Sequence, residues 1–172
     1  MSNTPKPNQL APSLSLPLVS GEQFNLDSDE ATNFTLVTFY RGYHCPICRG
    51  YLAQLDRAID DLSALGVKVV AVSGDSEERA KKTVEEWKLE KVRVAYGQSV
   101  ESMRDWGLFV SKGIKDPEPE LFGEPGIFLV RPDNTIYMVA INSMPAGRPR
   151  IEDIVGSIKY FVENDYPARG ES

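Results

Sequence analysis

Cys45 and Cys48 are the only cysteines of the chain, and His44, its only histidine, stands beside them in FYRGYHCPICRGYL, residues 39–52. Two thiols at C-x-x-C spacing admit three chemistries: reversible dithiol–disulfide cycling, part of a metal site, or a structural staple. A structural zinc site needs four ligands, and one C-x-x-C with an adjacent histidine supplies at most three. A disulfide across so short a loop adds little stability. Redox cycling is the reading that survives. No metal and no bound cofactor is expected, and no glycine pattern of the phosphate-cradling kind precedes a helix.

The elements around the pair favour that chemistry. FTLVTFY, residues 34–40, is β-branched and aromatic and reads as a buried strand. From Pro46 to Leu65, Ile47, Leu52, Leu55, Ile59, Leu62 and Leu65 recur at helical spacing, and Gly66 supplies the stop. Pro46 suits the first helical position, which makes Cys45 the N-cap and sets Cys48 in the first turn. Unpaired amides and the positive end of the helix dipole then surround both sulfurs and favour thiolate, the reactive form. Residues three apart share a helix face, so the sulfurs can reach bonding distance. Arg41 and Arg49 flank the pair and can add positive potential, while His44 tunes the local field or shapes the loop. Capping geometry leaves the N-cap side chain the more open, which points to Cys45 as the nucleophile.

Along the rest of the chain, β-like and helical patterns alternate. SLSLPLVSGEQFNL has two short apolar runs about Ser20-Gly21, an N-terminal hairpin. VKVVAVS, 67–73, is a second buried strand, and Asp75 with Glu78 forms a capping box for a helix running to about Trp87. VRVAY, 92–96, is a short strand and VESMRDW a short helix. After a loop over 111–124, IFLVR, the turn PDNT and IYMVAI make a hairpin. A last helix follows Pro149, with Ile151, Ile154, Val155, Ile158 and Val162 on one face. Tyr43 and Trp106 are more naturally core than site, and Arg148 and Arg150 are expected to be solvated. This order is an α/β plan with a mixed sheet and helices on both faces, and it matches the thioredoxin fold with an N-terminal β-hairpin extension. One domain over 13–165 is expected, with a loosely ordered lead-in at 1–12 and a fraying tail at 166–172.

The chain of 172 residues carries a net charge of −6, which argues against nucleic acid and anionic membrane surfaces as partners. The polar, proline-rich start has no apolar run of the signal-peptide kind, and no segment has bilayer-spanning apolar length, so a cytoplasmic location is expected. A reducing cytosol also favours a transient, catalytic disulfide over a structural one.

FYRGYHCPICRGYL, VKVVAVSGDSEERAKKTVEEW and GEPGIFLVRPDNTIY together resemble the peroxiredoxin-like branch of the thioredoxin superfamily, the alkyl hydroperoxide reductase and thiol-specific antioxidant group. The resemblance spans roughly residues 14–162. It implies a thiol-dependent peroxidase fed by a thiol reductant such as thioredoxin, glutaredoxin or glutathione, and it allows a homodimer. The departures are specific. Laying the family's P-x-x-x-T-x-x-C on this sequence puts Arg41 at its proline, Cys45 at its threonine and Cys48 at its attacking cysteine. The family's arginine before the strand IFLV is replaced near Pro125. Both changes lean toward thioredoxin, where a cis-proline faces the C-x-x-C, and they make Pro125 a candidate for a cis peptide. In the peroxiredoxin reading Cys48 attacks peroxide; in the thioredoxin reading Cys45 attacks a protein disulfide. A thioredoxin-fold adaptor without turnover is a third reading, resting on the acidic, proline-bearing loop 111–124.

Overall fold

The strand Phe34–Phe39 (β3) is buried along its whole length, as a β-branched and aromatic run without charge must be to fold stably. It occupies the centre of a five-stranded sheet. Val67–Val72 (β4) pairs with it in parallel, Phe34 opposite Val67, and Gly126–Val130 (β8) pairs antiparallel on its other side. Arg93–Ala95 (β5) extends the sheet beyond β4, and Ile136–Ile141 (β9) closes the other edge. The computed structural model describes residues 4–172.

Alternation along these strands divides the core in two. Leu36, Val69, Ala71, Ile127 and Leu129 face one layer, where they meet Leu52, Leu55 and Leu62 of the helix Pro46–Ala64 (α1) and Ile154 and Ile158 of the helix Ile151–Asn164 (α4). Trp87, at the end of the helix Glu77–Glu86 (α2), joins the same layer. Val37, Phe39, Val70, Val72 and Phe128 face the opposite layer. There they pack on Met103 of the short helix Val100–Asp105 (α3), on fully buried Trp106, and on Phe24 of the hairpin Ser15–Pro17/Gln23–Asn25 (β1, β2). The mixed sheet, helices on both faces and N-terminal hairpin are as the sequence pattern predicts.

Four expectations need correction. The segment 111–124 is not a plain loop: Val110–Lys112 (β6) and Leu121–Gly123 (β7) form a small antiparallel hairpin. The N-cap of α2 is Ser76, whose side chain accepts from the Arg79 amide, because neighbouring Asp75 is drawn into the molecule by other partners. The Glu124–Pro125 peptide is trans, the one cis peptide among the described residues being Asp116–Pro117. The Pro125 carbonyl accepts from the Asn142 amide, which ties it into the start of the β8–β9 ladder. Finally, Arg148 is buried rather than solvated.

At the chain's ends, residues 8–11 exchange backbone hydrogen bonds with 134–136, and the Tyr166 carbonyl accepts from the Tyr137 hydroxyl. Among the described residues no helix is long and apolar enough to cross a membrane.

Candidate active site

The carboxyl ends of β3 and β4 lie side by side, so the turn after each strand faces the other. Gly42, in the turn after β3, has φ +137, a conformation open to glycine, and a Cβ there would stand 2.7 Å from an Asp75 carboxylate oxygen. Asp75, in the turn after β4, accepts from the Tyr43 amide at 2.8 Å and from Arg79 Nε at 3.3 Å. Burial raises the pKa of this carboxyl even though both donors favour its charged form. Asp75 therefore acts as the brace of the loop that delivers Cys45, not as a helix cap.

Cys45 is the N-cap of α1 and Pro46 its first helical residue. The cysteine has extended backbone, and its sulfur accepts from the Cys48 amide at 3.3 Å. Sulfur here does what the oxygen of serine or aspartate does at an ordinary N-cap. Cys48 lies one turn on, fully buried, while Cys45 retains 2% exposure and lines a surface cleft. Both thiols are free.

The two sulfurs share one proton unequally. The Cys48 thiol and the Cys48 amide both donate to Cys45, and the nearby Arg148 and Arg41 cations add to the effect, so the Cys45 pKa falls to about 6 against the cost of burial. Cys48 moves the other way, held protonated by donating to the Cys45 thiolate and by its own burial. Cys45 is thus the more acidic thiol of the two and Cys48 the one that keeps its proton longer.

Two guanidinium groups surround this charge. Arg41 Nε and Nη2 donate to Glu124 at 2.8 and 2.7 Å, forming a fork on a carboxylate that is 1% exposed and also accepts from Ser111 at 2.6 Å. Arg148 comes from the turn before α4. Its Nη2 lies 3.5 Å from the Cys48 sulfur, its Nε donates to the Pro145 carbonyl at 3.0 Å, and its guanidinium sits 4.3 Å above the Tyr51 ring. The Tyr51 hydroxyl in turn donates to the Pro149 carbonyl at 2.7 Å, fixing the same turn to α1. Among the described residues no carboxylate partners Arg148, and the Cys48 sulfur is the side-chain group that its Nη2 meets.

The structure therefore brings Cys45, Cys48, Arg41 and His44 together and sets Arg49 on the wall of the cleft that Cys45 lines, turned toward α2. Arg49 is exposed and donates to the Glu86 carbonyl at the end of α2, at 3.1 Å, where a cation suits the helix C-terminus. Pro125 is bound in trans at the entry to β8, one residue beyond the Glu124 that holds Arg41. The His44 ring packs edge-on against Phe122 at 4.8 Å, and burial with nearby Arg79 lowers its pKa to about 4, so it is neutral at physiological pH.

Sequence reasoning missed Arg148, Asp75 and Glu124 as members of the site. The two acids had a signal: each ends a run at the sheet's edge facing the C-x-x-C, and strand order alone places Asp75 opposite Gly42. Arg148 had none, lying 100 residues from its sulfur partner in a Gly-Arg-Pro turn. Among the described residues, no group of three or more histidine, cysteine, aspartate or glutamate side chains is placed to hold a metal ion.

Comparison with known proteins follows this geometry. Residues 7–139 match the model of the AhpC/TSA family. A peroxiredoxin-like protein from Aquifex aeolicus superposes with a TM-score of 0.73 at 16% identity, over 91% of this chain and 88% of that one. The peroxidoxin BcpB of Mycobacterium tuberculosis gives 0.72 at 14% identity over 91% and 97%, and a thiol peroxidase from Chromobacterium violaceum gives 0.70 at 14% over 96% and 90%. At these identities the likeness is one of fold. No curated relative matches the chain. The family match covers most of the sequence, both cysteines included, and the chain belongs to the AhpC/TSA family of thiol-based peroxidase oxidoreductases.

Proposed function

We propose that the protein reduces hydroperoxides by cycling between the Cys45–Cys48 dithiol and its disulfide. The observation that carries this reading is the Cys45 sulfur, N-capping α1 at the wall of a cleft, with the Cys48 amide donating to it and the Cys48 thiol buried one turn behind. In the first step the Cys45 thiolate attacks the terminal peroxide oxygen. An S–O bond forms, the O–O bond breaks, and the departing alkoxide or hydroxide takes a proton from water, leaving Cys45 as sulfenic acid. In the second step the Cys48 sulfur, its proton lost to the departing hydroxyl, displaces water and closes the disulfide. Two electrons from an external thiol reductant, of the thioredoxin, glutaredoxin or glutathione kind, then restore the dithiol. We place the cycle in the cytoplasm, where such reductants are kept available.

Arg148 and Arg41 compensate for the missing elements of the family pattern. The threonine position is taken by Cys45 itself, and the arginine expected before β8 is absent. The buried Arg148 guanidinium supplies positive charge to the sulfurs from a different part of the chain.

The competing reading, reduction of protein disulfides in the manner of thioredoxin, is weakened by Pro125. That peptide is trans and its carbonyl already accepts from the Asn142 amide, just past β9, so it does not offer the free backbone on which a cis-proline would seat a peptide. The test is a single-turnover titration. One equivalent of hydrogen peroxide should remove two free thiols from wild type with formation of the Cys45–Cys48 disulfide, and neither Cys45→Ser nor Cys48→Ser should form it. Rapid reduction of insulin disulfides without peroxide consumption would replace this reading with the competing one.

A further inference from the structure

Arg148 is 8% exposed, and among the described residues no carboxylate neutralises it. Its Nε is taken by the Pro145 carbonyl and its Nη2 lies 3.5 Å from the Cys48 sulfur, while Nη1 is shielded from water and meets no acceptor. Arg41, the other cation near the pair, is by contrast neutralised by the two-bond fork on Glu124. Burying a cation without a counter-charge is destabilising, and negative charge that forms beside it is stabilised in proportion. The Tyr51 ring at 4.3 Å and the Tyr51 hydroxyl on the Pro149 carbonyl hold the guanidinium in this position.

The reductive half of the cycle produces such a charge. Cys48 is fully buried, whereas Cys45 lines the surface cleft, so an incoming thiolate reaches the disulfide at the Cys45 sulfur. The sulfur expelled is then Cys48, and it leaves as a thiolate where water does not reach it. Thiol–disulfide exchange is faster the more acidic the leaving thiol. Burial alone works against that acidity, because desolvation disfavours the charged form. The one side-chain cation in contact with the Cys48 sulfur among the described residues is Arg148.

Building on the dithiol–disulfide cycle of the proposed function, we infer that Arg148 serves the leaving group of the reductive step: its guanidinium stabilises the Cys48 thiolate expelled when an external thiolate attacks Cys45. The attack forms a bond between the reductant's sulfur and Cys45 Sγ. The Cys45–Cys48 bond breaks, its electron pair stays on Cys48 Sγ beside Nη2, and water then protonates that sulfur. A second reductant thiolate attacks the reductant's sulfur in the mixed disulfide, and Cys45 leaves as the thiolate that caps α1. Two reductant thiols become one disulfide for each protein disulfide opened. The protein disulfide carries no charge, so the cation also favours the reduced pair at equilibrium.

The test starts from the Cys45–Cys48 disulfide of the full-length protein made with diamide, so its outcome does not depend on the natural oxidant. At pH 8, reduction by dithiothreitol should be about 10-fold slower in Arg148→Met than in wild type, and Arg148→Lys, which keeps the charge, should recover part of the loss. Equilibration against glutathione should shift about 10-fold toward the disulfide in Arg148→Met, which is about 30 mV. Hydrogen peroxide consumption by the reduced variant should fall by a smaller factor, because the Cys48 thiol, the largest cause of Cys45 acidity, stays in place. Reduction within two-fold of wild type, a lysine variant no better than the methionine one, or equal losses in the two half-reactions would overturn the inference. A second measurement needs no variant: wild-type disulfide quenched with N-ethylmaleimide during reduction by glutathione should carry glutathione on Cys45 and maleimide on Cys48. The opposite placement would overturn the inference. Failure to consume hydroperoxide, with these reduction results intact, would overturn the peroxidase reading alone, and failure of diamide to link the two cysteines would overturn both.

Discussion

Replacing Cys48 by alanine removes the thiol that donates to the Cys45 sulfur, the largest single cause of its acidity, and leaves the α1 amides, Arg148 and Arg41 in place. A hydrogen bond to a charged group contributes about 1.5–3 kcal/mol, and 1.36 kcal/mol corresponds to one pKa unit. Cys45, near 6 in wild type, should therefore titrate between about 7 and 8 in Cys48→Ala. At pH 7 the thiolate fraction would fall from about nine-tenths to about a quarter, so alkylation by iodoacetamide should slow about four-fold, while rates well above pH 9 should converge. Cys48→Ser supplies a hydroxyl donor in the same place and should stay within about half a unit of wild type. The assay is the pH dependence of the alkylation rate, with absorbance near 240 nm as a direct count of thiolate. An unchanged Cys45 pKa in Cys48→Ala would refute the shared-proton account. The acidity would then belong to the helix end and the arginines alone.

Further predictions rest on other parts of the site. Glu124→Gln leaves Arg41 facing a neutral amide at a position that is 1% exposed; it should cost about 3 kcal/mol in urea unfolding, and a loss under about 0.5 kcal/mol would contradict the bracing role. Gly42→Ala puts a Cβ 2.7 Å from Asp75 in a φ +137 backbone, so it should destabilise by at least about 1 kcal/mol and slow Cys45 alkylation. Stability should also depend on pH. Because the folded-state pKa of Cys45 is depressed to about 6, its contribution is complete above the ordinary thiol range and is lost as pH falls through about 6. Cys48 is shifted upward, so alkaline pH ionises it in the unfolded chain first and stability falls there too. Urea midpoints should therefore peak in the ordinary thiol range, at about pH 8.5, and Cys45→Ala should flatten the acid side; equal slopes in the two proteins between about pH 6 and 8 would contradict this.

What could be read from the sequence was whatever depends on short-range pattern. The uninterrupted apolar runs of β3 and β4, the α1 repeat from Ile47 to Leu62 and Pro46 behind Cys45 each carry their structure locally, so the sheet, its helices and the capping cysteine followed. The β6–β7 hairpin escaped because three-residue strands on either side of a polar, proline-bearing tip have too few alternations to register. Asp75 with Glu78 reads locally as the cap of α2, but its contacts with Tyr43 and Arg79 draw Asp75 inward and leave the cap to Ser76, and that is a tertiary fact. Pro125 illustrates the limit of resemblance: a proline before a strand suits either peptide isomer, and its hydrogen-bonded neighbours hold it trans. Arg148 reaches Cys48 only because α1 and α4 pack side by side and Tyr51 pins the intervening turn. No periodicity within the segment 142–150 announces a buried cation.

Which sulfur meets the oxidant is the centre of this account, and one measurement addresses it directly. Reduced Cys48→Ser and Cys45→Ser would each be given one equivalent of hydroperoxide in the presence of dimedone and examined by peptide mass spectrometry. Cys45 of the Cys48→Ser protein should carry the adduct in high yield, and the Cys45→Ser protein should carry little. An adduct at Cys48 in Cys45→Ser, with Cys45 unmodified in its counterpart, would reverse the roles assigned to the two cysteines.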